Sequence, residues 1–497
     1  MSARLAVVFV AVAVAGCFSG RPLSGAYSCT DATSPCPVNY VCIAGLCRAP
    51  NADLGGVAGG GGGGGIAGGG GGGGGGTGNA DVGDKCTQSS DCQTGNCDTT
   101  NGTCELALLS PGWVSIGPMT FARMRPTVLL RADHSIMAAG GGITATNTVD
   151  ASVEVYLPAS SKWQDISGNM APPYANLFYA NQSAAAAELG GTLYIAGGGG
   201  QEITLQKYVP AQGMTAAAFA SVTNNTGVFI DQAGSAVMGG KLYVFGGFQA
   251  ANVVGAKAEY YDPTVNPPTG TWTNLGILYT PRRALAGVVG PDGTIYAMGG
   301  HGDSSNDVTL ASIETYVPAS FSWVTASTPM PQAREDHAAA TGPDGRIYVI
   351  GGLAGGKAQS TVMVYTPLPS GGGRWTTAAQ MPSARSGLGA VTGADGLIYV
   401  IGGADASGNP LNTAAYYGPK VTIVGTNLQG SNFAKNAAVT VWDSPTASGT
   451  IVGNGTTDGN GLLATPIALT GLTTGAHTLT VMDNHSRYPV QTTYTAP

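Results

Sequence analysis

The stretch Ile347-Tyr348-Val349-Ile350-Gly351-Gly352 decides the reading of this chain, because the same six letters return at Ile398–Gly403. Looser copies are IYAMGG at Ile295–Gly300, LYVFGG at Leu242–Gly247 and LYIAGG at Leu193–Gly198. A sixth, IMAAGG at Ile136–Gly141, has Met137 where the others have tyrosine. The first glycines of the pairs are Gly140, Gly197, Gly246, Gly299, Gly351 and Gly402, at steps of 57, 49, 53, 52 and 51 residues. An apolar strand ending in two glycines and repeated at this period predicts one supersecondary unit set around an axis.

Each unit shows the same order of signals around that strand. A small-residue strand comes first, as in Asp336–Thr341 or Gly387–Thr392, and then a tight turn such as Pro291-Asp292-Gly293 or Pro343-Asp344-Gly345. Asp-Gly supplies the positive φ that a hairpin turn requires. After the two glycines comes a strand with a tyrosine: VEVY at Val153–Tyr156, IETY at Ile313–Tyr316, VMVY at Val362–Tyr365. A fourth strand starts near Trp163, Trp272, Trp323 or Trp375, and units close on segments such as Met330-Pro331-Gln332-Ala333-Arg334 and Met381-Pro382-Ser383-Ala384-Arg385. This order resembles the kelch repeat, and the resemblance implies a β-propeller of four-stranded blades over residues 113–419. The last unit has its GG and its tyrosines (Tyr416, Tyr417) but no following tryptophan strand, whereas Trp113–Met119 is such a strand with no GG before it. Joining the two closes a ring of six blades without an open edge. The second unit lacks the tryptophan, with Phe219 in its place, and the connection Met170–Asn181 is longer than its counterparts.

From Val421 onward the alternation continues without GG: VTIVGTN, AAVTVWD, ALTGLTTGAHTLTVMD. This predicts a small antiparallel sandwich over residues 420–497, and it resembles the immunoglobulin-like domains beside bacterial propellers. The fold class expected is all-β: a six-bladed kelch β-propeller, a C-terminal β-sandwich and small disulfide-rich N-terminal modules.

Residues 1–16 read as an export signal, with Arg4 followed by an apolar run too short to span a bilayer as a helix. Val14-Ala15-Gly16-Cys17 resembles the lipobox of bacterial lipoproteins, which implies cleavage before Cys17 and a lipid on it. Phe18 rather than aspartate at the next position implies onward export to an outer membrane. Of nine cysteines, the eight beyond Cys17 form two groups, Cys29, Cys36, Cys42, Cys47 and Cys86, Cys92, Cys97, Cys104. They lie in modules at 17–54 and 79–112, too short to bury a core, where disulfides serve as staples. Pairing within each group leaves three connectivities open. Zinc is the competing reading, and the absence of C-x-x-C argues against it. Between the modules, residues 55–78 contain 19 glycines in 24 positions. Such a coil has an r.m.s. span of roughly 25–30 Å.

Charged residues make up only 10% of the 497 and the net charge is −7, so no basic footprint for nucleic acid exists. Arg123, Arg282, Arg334 and Arg385 each stand 17 residues before the first glycine of their GG. They are expected near the mouth of the central channel, either as a clamp for a carboxylate or acidic sugar or as ties to backbone carbonyls between blades. His337, in Arg334-Glu335-Asp336-His337, is either a proton-transfer group or a structural one. His134 and His301 read as isolated. A copper radical site resembling that of galactose oxidase needs a cysteine cross-linked to tyrosine, and none follows Cys104. His477 and His485 form no metal motif. Asp458-Gly459-Asn460-Gly461 reads as a hairpin turn, because its carboxylate spacing does not suit a calcium loop. No cofactor and no catalytic residue is expected. The reading is an exported lipoprotein of the outer membrane that recognises a glycan or protein partner in the cell envelope, more a binder than an enzyme. The alternatives are a sugar isomerase similar to sialate mutarotases and an envelope spacer.

Overall fold

The computed structural model describes residues 112–142, 152–165, 184–198, 205–209, 218–222, 231–250, 253–303, 308–368, 372–434, 436–484, 486 and 488–496, with short backbone segments between 27 and 104. The export signal, Cys17, the glycine-rich segment, the Met170–Asn181 connection and His485 lie outside the described residues. In the N-terminal region the backbone of Leu46–Arg48 pairs with both Tyr27–Ser28 and Val41–Ile43, setting Cys42 opposite Cys47. Cys97–Asp98 pairs with Thr103–Cys104, setting Cys97 opposite Cys104.

The GG-ending strands are central strands of four-stranded antiparallel sheets. Ile347–Ile350 lies between Ala338–Thr341 and Val362–Pro367, with Gly373–Ala378 outermost. Five such sheets follow in chain order, starting at Thr127–Leu130, Ala185–Leu189, Gly234–Met238, Ala286–Val289 and Ala338–Thr341. A sixth consists of Gly389–Thr392, Ile398–Ile401 and Ala414–Tyr417 plus Trp113–Ile116 from the front of the repeat region. Its register sets Tyr417 opposite Trp113. The first strands touch one another in sequence and the sixth touches the first, so the sheets form a closed ring with the chain's two ends sealed in one sheet. This is the arrangement of a β-propeller, and the sheets are its blades.

Blade-on-blade stacking explains why the repeated strand is apolar at every position. Ile347, Tyr348, Val349 and Ile350 are all fully buried, since both faces of the sheet are covered by neighbouring blades. The tyrosine of the third strand sits opposite the tryptophan of the fourth, with ring centroids 4.9 Å apart for Tyr365–Trp375 and 5.4 Å for Tyr316–Trp323. In the second blade the register places Phe219 opposite Tyr208, the slot tryptophan fills elsewhere.

The tyrosine within IYVIGG has its own cause. In the last three blades it bonds the aspartate of the Asp-Gly turn four residues earlier: Tyr296 to Asp292 at 3.3 Å, Tyr348 to Asp344 at 2.7 Å, Tyr399 to Asp395 at 2.6 Å. The other oxygen of each carboxylate accepts a turn N–H, from Thr294, Arg346 and Leu397. Met137 of the first blade has no hydroxyl to donate, and Asp133 there is bonded by Ser135 and Arg131.

The chain beyond Tyr417 forms two sheets, one of three strands (Lys420–Val424, Asn427–Ser431, Ile467–Ala468) and one of four (Ala438–Asp443, Thr450–Thr456, Gly475–Asp483, Val490–Ala496). One buried apolar cluster runs from Tyr348, Ile398 and Tyr417 of the ring into Leu428, Val441 and Tyr488 of this unit. Tyr488 packs edge-on against Tyr417 at 5.6 Å and donates its hydroxyl to the Gly396 carbonyl at 2.7 Å. Asn432 bonds both the N–H and the carbonyl of Gly112, and also the Gly418 carbonyl. The C-terminal unit thus ties together the entry and exit of the ring. Asp458 caps a turn, accepting from the N–H groups of Asn460 and Leu462, as its sequence predicted.

Candidate functional site

The four repeat arginines are buried, at 0–3% relative exposure. Each sends Nη1 to the carbonyl of the first glycine of its own blade: Arg123 to Gly140 at 2.8 Å, Arg282 to Gly299 at 3.0 Å, Arg334 to Gly351 at 2.8 Å, Arg385 to Gly402 at 3.0 Å. The same nitrogen reaches a second carbonyl, of Ser152, Ser312, Thr361 or Thr413. The arginine's own carbonyl accepts from the previous blade, as Gly300 N–H to Arg334 and Gly352 N–H to Arg385. A Cβ at Gly351 would stand 2.7 Å from that Arg385 carbonyl at a backbone φ of +62°, which is why the pair is glycine. The side chains thus tie backbone carbonyls, but within one blade rather than between blades. The guanidinium groups are occupied inside the walls rather than presented at the mouth.

Their charge is balanced in two ways. Arg123 pairs with Glu154 at 3.0 Å and Arg282 with Glu314 at 2.7 Å, all four side chains fully buried. Glu314 also accepts from the N–H groups of Tyr279 and Thr280, and Glu154 from Thr120 and Phe121. Arg334 and Arg385 use neutral partners instead, Gln332 with Thr361 and Ser383 with Thr413. Burial without a carboxylate pushes both down to about 10, so both stay charged at neutral pH.

Two residues beyond the arginine the chain turns inward. Arg125, Ala284, Asp336 and Gly387 occupy this place in four blades and Gln232, which follows no arginine, its counterpart in a fifth; all five have φ between 51° and 55°. Their backbones form a collar. Arg125 N–H donates to Gly387, Gly387 to Asp336, Asp336 to Ala284 and Ala284 to Gln232, at 2.6–2.9 Å. Because the collar is made by backbone, its side chains are free of framework duty, and they differ from blade to blade.

A cavity of about 130 Å³ opens at this collar, lined among others by Arg125, Gln232, Asp336, His337 and Leu388. Arg125 holds Asp336 with two bonds, Nε to Oδ1 at 3.0 Å and Nη2 to Oδ2 at 2.6 Å. Burial would lower the pKa of Arg125, but the charge and hydrogen bonds of Asp336, aided by Asp231 and Glu335, carry it above its usual value. Arg283 donates to Gln232 at 3.1 Å and lies over the Phe248 ring. Burial raises the carboxyl of Asp231, while Arg125 and Arg283 pull it the other way. His301 is not isolated as the sequence suggested: its Nδ1 is 3.0 Å from Glu335.

His337 lines the cavity at 5% exposure, and neither ring nitrogen has a hydrogen-bond partner of good geometry. Burial pushes it down to about 3 and Arg334 adds to this, against smaller opposing effects of Asp336 and the Met298 backbone. It is a neutral imidazole throughout the physiological range. His477 lies far off in the C-terminal unit between the Thr473 carbonyl and Asp443, both of which raise its pKa. Among the described residues, no group of three or more histidine, cysteine or acidic side chains is placed to hold a metal ion.

The kelch motif matches this sequence three times, at residues 232–278, 282–330 and 337–382. The chain carries kelch repeats. Relatives with them include Kelch-like protein 35 of Mus musculus, 30% identical over 181 residues, which are 36% of this chain and 28% of that one. Kelch-like protein 33 of Homo sapiens is 33% identical over 27% of this chain and 24% of its own length. Kelch-like protein terF of Aspergillus terreus is 26% identical over 303 residues, 59% of this chain and 62% of that one. The match therefore spans about a quarter of the first two relatives and under two thirds of the third. Among solved structures, one described as "Structure of YjhT" aligns with a TM-score of 0.48 and 14% identity, over 62% of this chain and 97% of that one. The three matched kelch segments begin at Gln232, Arg282 and His337, so Gln232, Ala284 and Asp336 of the collar stand at or beside the starts of motifs.

Proposed function

We propose that this chain is a lipid-anchored recognition protein of the cell envelope, a six-bladed kelch propeller binding a glycan or protein partner at its collar. The observation that carries this reading is the contrast between frame and collar. Arginine, tyrosine and GG recur from blade to blade and are consumed by the fold, whereas the collar varies and gathers scarce charge. Arg125, Asp231, Arg283, His301, Glu335 and Asp336 meet there in a chain only 10% charged. A rigid ring presenting unlike side chains at like positions is a surface suited to recognition. Cys17 with its lipid, the staple-bearing modules around the glycine-rich segment and the immunoglobulin-like C-terminal sandwich would hold that face away from a membrane.

The test is binding of the full chain to glycan and peptide arrays beside an Arg283→Ala/Glu335→Ala variant with an unchanged melting profile. The variant is expected to lose about thirtyfold or more of the affinity, the size of one interfacial hot spot. Hits kept in the variant would move the site off the collar, and no hit from the unmodified chain would count against both partner classes. A second reading, a sugar isomerase similar to sialate mutarotases, is favoured by one feature. The neutral imidazole of His337, buried against the cavity without a good partner, is placed to hydrogen-bond a bound sugar, while its pKa of about 3 makes it a weak base. Turnover of a reducing sugar that His337→Gln abolishes would support it; binding without turnover would sink it.

A further inference from the structure

Arg125, Gly387 and Asp336 stand at equivalent places in three consecutive blades, and a side chain crosses from the first of them to the third. We propose that the collar is a carboxylate-binding site, held closed in this state by the protein's own carboxylate, Asp336, seated on the Arg125 guanidinium. The inference rests on the collar being the recognition surface.

The geometry is that of a ligand contact rather than a framework one. The two bonds, at 3.0 and 2.6 Å, are the parallel fork by which arginine reads a planar carboxylate. Both side chains line the cavity, whose volume of about 130 Å³ is close to the ~150 Å³ that holds a benzene. That is room for the carboxylate end of a molecule but not for a polymer. The crossing exists because blade six has glycine at its collar place: a Cβ at Gly387 would come within 2.8 Å of Arg125 Cγ. The backbone does not need the ion pair, since the N–H groups of Arg125, Gly387 and Asp336 are already bonded around the collar. Beside it, Arg283 acts on Asp231 together with Arg125 and so offsets part of the acidic charge near the fork. An incoming carboxylate therefore takes the place of Asp336 on an arginine already positioned for it, and must first compete with a tethered rival.

This gives an inverted expectation: neutralising an acid at the site should strengthen binding of an acid. Asp336→Asn suits the test, because asparagine tolerates the left-handed backbone (φ 51°) that this residue adopts. The full chain, Asp336→Asn, and Asp336→Asn with Arg125→Lys would be titrated calorimetrically with D-glucuronate and with N-acetylglycine. D-glucose and N-acetylglycinamide serve as neutral comparators. Asp336→Asn is expected to bind at least one acid about tenfold or more tighter than the unmodified chain, with no gain for the neutral comparators. Lysine at 125 should erase the gain, because a point charge does not replace the fork. Which acid responds distinguishes a sugar acid from a peptide terminus. No gain with either acid, or an equal gain with the neutral comparators, overturns the inference. If array binding still depends on Arg283 and Glu335 in that case, the recognition reading survives with another chemistry; if it does not, both fall together.

Discussion

Arg282→Ala is expected to destabilise the ring by about 3–5 kcal/mol, the cost of leaving a buried charge without its partner. The loss has three parts. Glu314 keeps the N–H groups of Tyr279 and Thr280 but loses its counter-charge in a site closed to water. The carbonyls of Gly299 and Ser312 lose their shared donor, and the Ser312 hydroxyl loses the Nη2 group that reaches it. Arg385→Ala removes the same two carbonyl bonds but strands no carboxylate, only Ser383 and Thr413 hydroxyls. It should cost about 1–3 kcal/mol, the range for unsatisfied neutral groups. Urea unfolding of both variants in the full chain checks this through the order of their midpoints. Equal midpoints would mean that the carboxylate contributes nothing and that the arginine acts only through carbonyls.

Tyr417→Ala is expected to cost about 3–5 kcal/mol and to loosen the ring closure in the same step. Its ring meets Trp113 of the closing strand at 5.4 Å, Tyr348 of the fifth blade at 5.4 Å and Tyr488 of the C-terminal unit at 5.6 Å. Among the described residues Tyr316, in the same repeat place, meets the rings of Trp323 in its own blade and Tyr243 in the preceding one. Tyr316→Ala should lower stability without exposing the seam. Tyr417→Ala should in addition raise tryptic cleavage at Lys420, the first residue beyond the junction. Equal cleavage rates in the two variants would show that the C-terminal unit does not seal the ring.

The frame of this fold can be read from the chain because each repeated residue does the same job in each blade. Glycine pairs 17 residues after an arginine are one joint seen several times, and Trp113, with no GG before it, pairs with the tyrosine strand of the unit that has no tryptophan. The tyrosine–aspartate bond was equally open to sequence, at a fixed offset of four in three copies, but a turn aspartate looks complete without a second partner. The collar was not open to sequence. Residues 125 and 336 lie 211 positions apart, and although their places recur two beyond the arginine, their side chains share no type with those of other blades. Only Gly387, glycine at a place two beyond the arginine, hinted at a left-handed turn there. The arginines drew attention because they repeat, and they repeat because they belong to the frame. His337 stands out in sequence by its charged neighbours and lines the cavity, whereas nothing local distinguishes Arg125, two residues after the first repeat arginine.

Hydrogen exchange on the full chain, with and without a glycan or peptide that it captures, tests the placing of function at the collar most directly. Protection is predicted in the segments carrying Arg125, Gln232, Arg283, Glu335, Asp336 and Gly387, which stand together only in the folded ring. Protection confined to outer strands or to the C-terminal unit, with these segments unchanged, would contradict it.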